Sequence, residues 1–185
     1  METLEDNMTR ESDAVLLAKC REGDQNACAE LLRLYRDKAM NIAYGLLQSR
    51  ADAEDAAQEA FIRAFRFLQD FKGESAFSSW LYRIVVNVSM EILRKPSKKE
   101  LACEDVSCGE DQDFSNVEKR MHIDQLLGTM PIHLRTALVL REVDQLNYDE
   151  IAAILGIPIG TVRSRLSAAR EMFRRKYKEL MKDEV

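Results

Sequence analysis

The sequence predicts an all-α protein: two small helical domains joined by a flexible acidic linker, the C-terminal one containing a helix-turn-helix. Three observations carry this reading. Apolar residues recur at helical spacing in both the first half and the last third of the chain. Between them, residues 96–120 are acidic and their apolar residues are sparse and aperiodic, over a length unusual for a loop inside one compact domain. Near the C-terminus, two short helical patterns flank a Gly-Ile-Pro-Ile-Gly turn at residues 156–160.

The elements follow in order. Residues 1–12 are polar and acidic and read as a flexible N-terminus, and Asp13 to Arg21 reads as a short helix. Gly23-Asp24 punctuates, with Asp24 or Gln25 near the cap of a second helix from Asn26 to about Leu47. A third helix begins at Asp52, where Ala53, Ala56, Ala57, Ala60, Phe61, Ala64, Phe65 and Leu68 fill one broad apolar face. The pattern breaks at Phe71 to Ser75. Ser75 is expected to cap a fourth helix, Ala76 to Arg94, ended by Lys95-Pro96. The first domain is therefore 13–95.

The second domain is 121–185. A short helix spans Met121 to Leu127, and another starts at Met130-Pro131 and runs through Arg141. Asn147 is expected to cap Tyr148 to Leu155, with Glu150 at the capping-box position. Gly156 to Gly160 forms a tight turn, and the last helix opens at Gly160 or Thr161 and runs to about Met181. Ile151, Leu155, Ile157, Val162 and Leu166 then form a small common core that leaves the N-terminal part of the second helix free to enter a major groove.

Composition narrows the function. With 46% hydrophobic and 32% charged residues the chain folds, and a net charge of −5 excludes a broadly basic nucleic-acid coater. No basic stretch precedes an apolar run at the start and no apolar run is long enough to span a membrane, so the expected location is the cytoplasm. There is no phosphate-cradling glycine loop, no His-Glu-x-x-His and no Gly-x-Ser-x-Gly, and neither His122 nor His133 reads as catalytic. No cofactor, metal or enzymatic activity is expected. The Cys20–Cys28 spacing looks incidental, and a metal or redox role for Cys103 and Cys108 is disfavoured.

Local charge differs sharply from the global value. Residues 1–95 carry −3, residues 96–120 carry −3 and residues 121–185 carry +1. Within residues 159–178, seven basic residues face one acid, Glu171, for a charge of +6. Arg163 and Arg165 are placed to reach base edges or phosphates, with Thr161 and Ser164 offering shorter contacts. Arg174, Arg175, Lys176 and Lys178 read equally well as solvated charges.

In the first domain Phe71, Phe77, Trp80 and Tyr82 cluster beside Lys72 and Arg83. Aromatics next to cations stack on unpaired bases, and they are also ordinary core material; composition leaves both readings open. Asp52, Asp55 and Glu59 share one helix face, which suits either a basic partner or a solubilising surface. They form no general acid/base pair.

These segments together resemble a bacterial family, the extracytoplasmic-function (group 4) RNA polymerase sigma factors of the sigma-70 superfamily. The resemblance rests on Gly23-Asp24-Gln25-Asn26-Ala27, the run from Asp52 to Phe65, Phe71 to Ile84 with Asn87, Leu140-Arg141-Glu142, Tyr148 to Ala152, and Pro158 to Arg165. It covers nearly the whole chain and is most similar to the envelope-stress type. It implies a promoter-specificity subunit that performs no covalent chemistry. Asp52, Asp55, Gln58, Glu59 and Arg63 would dock on the clamp helices of core RNA polymerase. Lys72, Ser75, Phe77, Trp80, Arg83 and Asn87 would contact the −10 element. Thr161, Arg163, Ser164, Arg165, Ser167 and Arg170 would contact the −35 element of promoter DNA. The linker would thread through polymerase, and an anti-sigma factor is implied as a further partner. One departure is local: Glu91 stands where many relatives are more basic, and it would repel DNA if it faced the backbone. The rival reading is a stand-alone helix-turn-helix regulator, which uses residues 148–175 and leaves the first domain unexplained.

Overall fold

The computed structural model describes residues 4–95, 122–143 and 145–183. These residues are all-α, in two helical groups. The expected linker, with Cys103 and Cys108, lies outside the described residues.

The first group starts with α1 (Leu4–Arg21), which begins earlier than the expected Asp13. The chain turns at Gly23, and Asp24 caps α2 (Gln25–Leu47) by accepting from the backbone N–H of Asn26 and Ala27 at 2.9 and 3.2 Å. This turn folds α1 back on α2, so Cys20 and Cys28 come to a Cα separation of 5.1 Å and are joined in a disulfide. The pair that looked incidental by spacing is therefore a cross-link between the two helices, made by the fold-back rather than by any sequence motif.

Ser49, not Asp52, opens α3 (Arg50–Arg66), its hydroxyl accepting from the Asp52 N–H. A stripe of Ala53, Ala56, Ala60 and Ala64, all fully buried, lets α3 lie close against α2 and α4. A single 3-10 turn, Leu68–Asp70, leads into the 71–76 loop. Ser75 does not cap α4 (Phe77–Arg94). The cap position falls to Ala76 with no side-chain bond, because helical geometry begins only where Phe77 is anchored in the core. Leu81, Tyr82 and Val85 of α4 complete that core with Leu31, Ile42 and Leu46 of α2.

The second group contains α5 (residues 122–128), α6 (Ile132–Val143), α7 (Tyr148–Leu155) and α8 (Ile159–Asp183). The capping box at α7 forms as expected, Asn147 and Glu150 each bonding the other's backbone N–H at 2.9 and 2.8 Å. Gly156 ends α7 at φ 63°, a left-handed conformation open to glycine without steric penalty. The following turn is shorter than expected, since Ile159 is already helical. Pro158 has its φ pre-set for a helix start, and its carbonyl accepts from Thr161 and Val162 at 2.8 and 3.2 Å.

The two groups share an apolar core. Ala137, Leu140, Leu146 and Ile151 from the second group are continuous with the core of the first. At the closest approach, Gly45 of α2 faces Val139 of α6, and a Cβ on Gly45 would meet both Val139 methyls at 2.8 Å. Arg135, only 9% exposed, bridges the seam. It donates to the Leu46 carbonyl at the end of α2 at 2.8 Å, and to the Gly128 and Met130 carbonyls at 2.7 and 3.2 Å. A cation there satisfies a terminal helix carbonyl and complements the helix dipole. Burial pushes the Arg135 pKa down. Tyr44 adds a bond to Asp124 at 2.8 Å.

Candidate nucleic-acid interface

The pair α7 and α8 is held by Ile151, Ile154, Val162 and Leu166, all buried. Their spacing on α8, with Ala169, fixes which side of that helix faces inward. Arg163, Ser164 and Ser167 therefore project outward and are exposed, while Thr161, Arg165 and Arg170 are half-buried at the edges of the same face. Ser164 donates to the Thr161 carbonyl at 3.0 Å. Arg170 is pinned to Glu142 of α6 at 3.2 Å, and that bond, with Tyr148, raises its pKa. Arg163 and Arg165 make no hydrogen bond or ion pair with any described residue. Arg141 holds the approach to α7, donating to the Leu146 carbonyl at 2.7 Å with its guanidinium 5.6 Å from the Tyr148 ring centre.

In the first group the aromatic cluster is contiguous. Phe71 and Trp80 have ring centres 5.0 Å apart, Phe77 and Trp80 5.8 Å, and Tyr35 packs edge-on against Phe77 at 5.4 Å. Trp80 is half-buried, whereas Phe77 is buried beneath the loop. Lys72 and Ser75 are exposed on the loop, and Arg83 and Asn87 on α4. Trp80, Arg83 and Asn87 fall at helical spacing and share one face. The loop is braced from behind by Arg21 of α1, which bonds the Leu68 carbonyl at 3.2 Å and the Phe71 carbonyl as well. Arg83 donates to the Ala153 carbonyl of α7, so the second group sits against this face.

On α3, Asp52, Asp55 and Gln58 are exposed, with Glu59 and Arg63 half-buried beside them. Arg63 is not free: it binds Glu91 of α4 bidentately at 2.9 and 2.8 Å and Glu59 at 2.7 Å. The Glu91 bonds, then Glu59, raise the Arg63 pKa, and Arg63 in turn lowers that of Glu91. Glu91, which reads from sequence as a charge able to repel DNA, is drawn onto Arg63 and neutralised there. Sequence reasoning missed this pairing because the partners lie on different helices, 28 residues apart.

Comparison with known proteins settles the family. The family described as Sigma-70 region 2 matches residues 31–99, and that described as Sigma-70, region 4 matches residues 120–173. The ECF RNA polymerase sigma-E factor of Escherichia coli (strain K12) is 38% identical, covering 92% of this chain and 97% of that one. The chain belongs to the ECF sigma factors. Another relative, the RNA polymerase sigma-H factor of Pseudomonas aeruginosa, is 35% identical over 95% of this chain and 99% of its own. The fold is shared with CnrH in its complex with the cytosolic domain of CnrY, at a TM-score of 0.73, 23% identity and coverage of 91% and 98%. This sigma factor is a non-catalytic protein that binds core RNA polymerase and promoter DNA to start transcription. The region 2 match removes the stand-alone regulator, which had no use for the first domain. Among the described residues no helix is long and apolar enough to cross a membrane.

Proposed function

We propose that the chain divides its work between a region 2-like domain, residues 13–95, and a region 4-like domain, residues 121–185, joined by residues 96–120. The outward face of α8, with Thr161, Arg163, Ser164, Arg165, Ser167 and Arg170, contacts duplex DNA at −35. The observation that supports this most directly is that Arg163, exposed, and Arg165, half-buried at the edge of the same outward face, stand on the second helix of a helix-turn-helix without partners among the described residues, in an acidic protein. Lys72, Ser75, Phe77, Trp80, Arg83 and Asn87 act at −10, where stacking on aromatics offsets the energy of unpairing. Because Arg83 is engaged by α7, that role requires the second group to move away from α4.

The α3 face carrying Asp52, Asp55, Gln58, Glu59 and Arg63 docks on polymerase. Within it, Asp52, Asp55 and Gln58 supply the free contacts, while Glu59 and Arg63 brace α3 on α4. Replacing Asp52 and Asp55 with lysine is expected to weaken binding to core polymerase at least about tenfold, by reversing two charges that face a basic partner. Co-purification with core polymerase checks this; unchanged assembly would remove the docking surface. The site of action is the cytoplasm, where polymerase and chromosome meet. An anti-sigma partner fits the family; the related fold of RpoE from Bartonella quintana, 24% identical with a TM-score of 0.66, was captured with the anti-sigma factor NepR.

A further inference from the structure

Cys20 and Cys28 are joined across the fold-back of α1 on α2. Such a bond is unusual at a cytoplasmic site of action, where thiols are held reduced and a disulfide is as a rule transient, formed to sense or to transfer electrons. Its position in the fold points to what it controls. Between residues 13 and 21, α1 buries only Asp13, Leu17 and Cys20, so its noncovalent hold on α2 is thin. The residue next to Cys20 is Arg21, the brace of the 71–76 loop. Its guanidinium donates to the Leu68 carbonyl at 3.2 Å and to the Phe71 carbonyl, and lies 6.0 Å from the Phe71 ring centre. Its own carbonyl accepts from the Gln69 side chain at 3.0 Å. The end of α1 is thus tied to α2 on one side and to the entry of the loop on the other.

We propose that Cys20 and Cys28 form a peroxide-responsive dithiol, whose oxidation to the disulfide fixes the end of α1, steadies the 71–76 loop through Arg21 and tightens binding of the −10 strand. The inference rests on the reading of that loop as a −10 contact. Bonds that do not involve sulfur hold the turn between the two residues: the Gly23 and Asp24 N–H groups donate to the Cys20 and Lys19 carbonyls at 3.1 and 3.0 Å. Cys28 is half-buried and Cys20 only 8% exposed, so peroxide meets Cys28 first. The Cys28 thiolate attacks one peroxide oxygen; the S–O bond forms, the O–O bond breaks and hydroxide leaves. The Cys20 thiolate then attacks the sulfenic sulfur; the S–S bond forms, the S–O bond breaks and a second hydroxide leaves. The two thiol protons turn both hydroxides into water, and the two sulfurs have given two electrons to the peroxide. A small dithiol reverses the step by exchange. A fixed brace leaves less ordering to be done when the strand binds, so the oxidised form binds more tightly.

The experiment uses the full chain carrying Cys103→Ser and Cys108→Ser, so that Cys20 and Cys28 are its only cysteines. The protein is reduced with dithiothreitol or oxidised with hydrogen peroxide, freed of reagent and then assembled with core polymerase. Intact mass after alkylation counts the thiols. Binding is measured to a single-stranded oligonucleotide carrying the non-template −10 sequence. Peroxide is expected to remove both thiols and to tighten strand binding roughly fivefold, the worth of about one immobilised side chain, and dithiothreitol to restore both. Cys28→Ser is expected to bind like the reduced protein with or without peroxide. Arg21→Gln is expected to form the disulfide and show no gain. Thiols that survive peroxide, equal strand binding in the two states, or a gain that either variant keeps overturns the proposal while leaving the −10 reading standing. Absence of strand binding in both states overturns the −10 reading and the proposal with it. If Cys28→Ser does not assemble, reversal by dithiothreitol decides: a gain that persists once both thiols have returned overturns the proposal.

Discussion

Replacing Arg163 and Arg165 together with alanine is expected to lower initiation from a −35-bearing promoter by about two orders of magnitude, taking each arginine contact at one to three kcal/mol. Neither side chain is bonded to a described residue; Arg163 is exposed on the outward face of α8 and Arg165 is half-buried at its edge. The fold should therefore survive, and melting temperature should move little. Core binding should also be unchanged, because the proposed docking residues lie on the exposed face of α3 and not on α8. In vitro transcription on matched promoters with and without the −35 element separates the outcomes. An equal loss on both promoters would mean that these arginines supply only general phosphate attraction.

The second large effect concerns the seam between the two helical groups. Gly45→Val drives a branched side chain into Val139, where even a Cβ arrives at 2.8 Å. Arg135→Ala leaves three buried or half-buried carbonyl partners, on Leu46, Gly128 and Met130, without their donor. Each change is expected to remove about 2–4 kcal/mol of the stability of the closed arrangement, through overpacking in the first case and orphaned acceptors in the second. The measurable result is a larger radius of gyration in solution scattering, with both helical groups retaining their helicity by circular dichroism. The same opening frees Arg83 from the Ala153 carbonyl, so the free protein should bind a −10 single strand more tightly than wild type does. A variant that stays compact would show that the seam is held by other contacts.

The helices themselves were legible because their faces are periodic. The stripe Ala53, Ala56, Ala60, Ala64 reads directly as a buried face, and Asn147 with Glu150 reads as a helix start. The exposed side of α8 was legible for the same reason: once Val162 and Leu166 are inside, Arg163 must be outside. What escaped was long-range. Asp13 and Tyr35 are 22 residues apart, and Arg135 reaches Leu46 across 89, with no local pattern to mark either pair. The disulfide depends on the angle at which α1 folds onto α2, which the Gly23-Asp24 turn permits but does not announce. Boundaries slipped where a signal had two readings, as when Ser75 stayed on the exposed loop while Phe77 set the start of α4.

The most direct test of the account combines the purified chain with core polymerase and no other sigma factor, on a set of promoter fragments. Promoter-dependent transcripts should appear only when the chain is present. They should fall when Arg163 and Arg165 are replaced, and should disappear when Asp52 and Asp55 no longer hold the chain to polymerase. Transcripts that arise only after another sigma factor is added would contradict the division of labour proposed for α3, the 71–80 segment and α8.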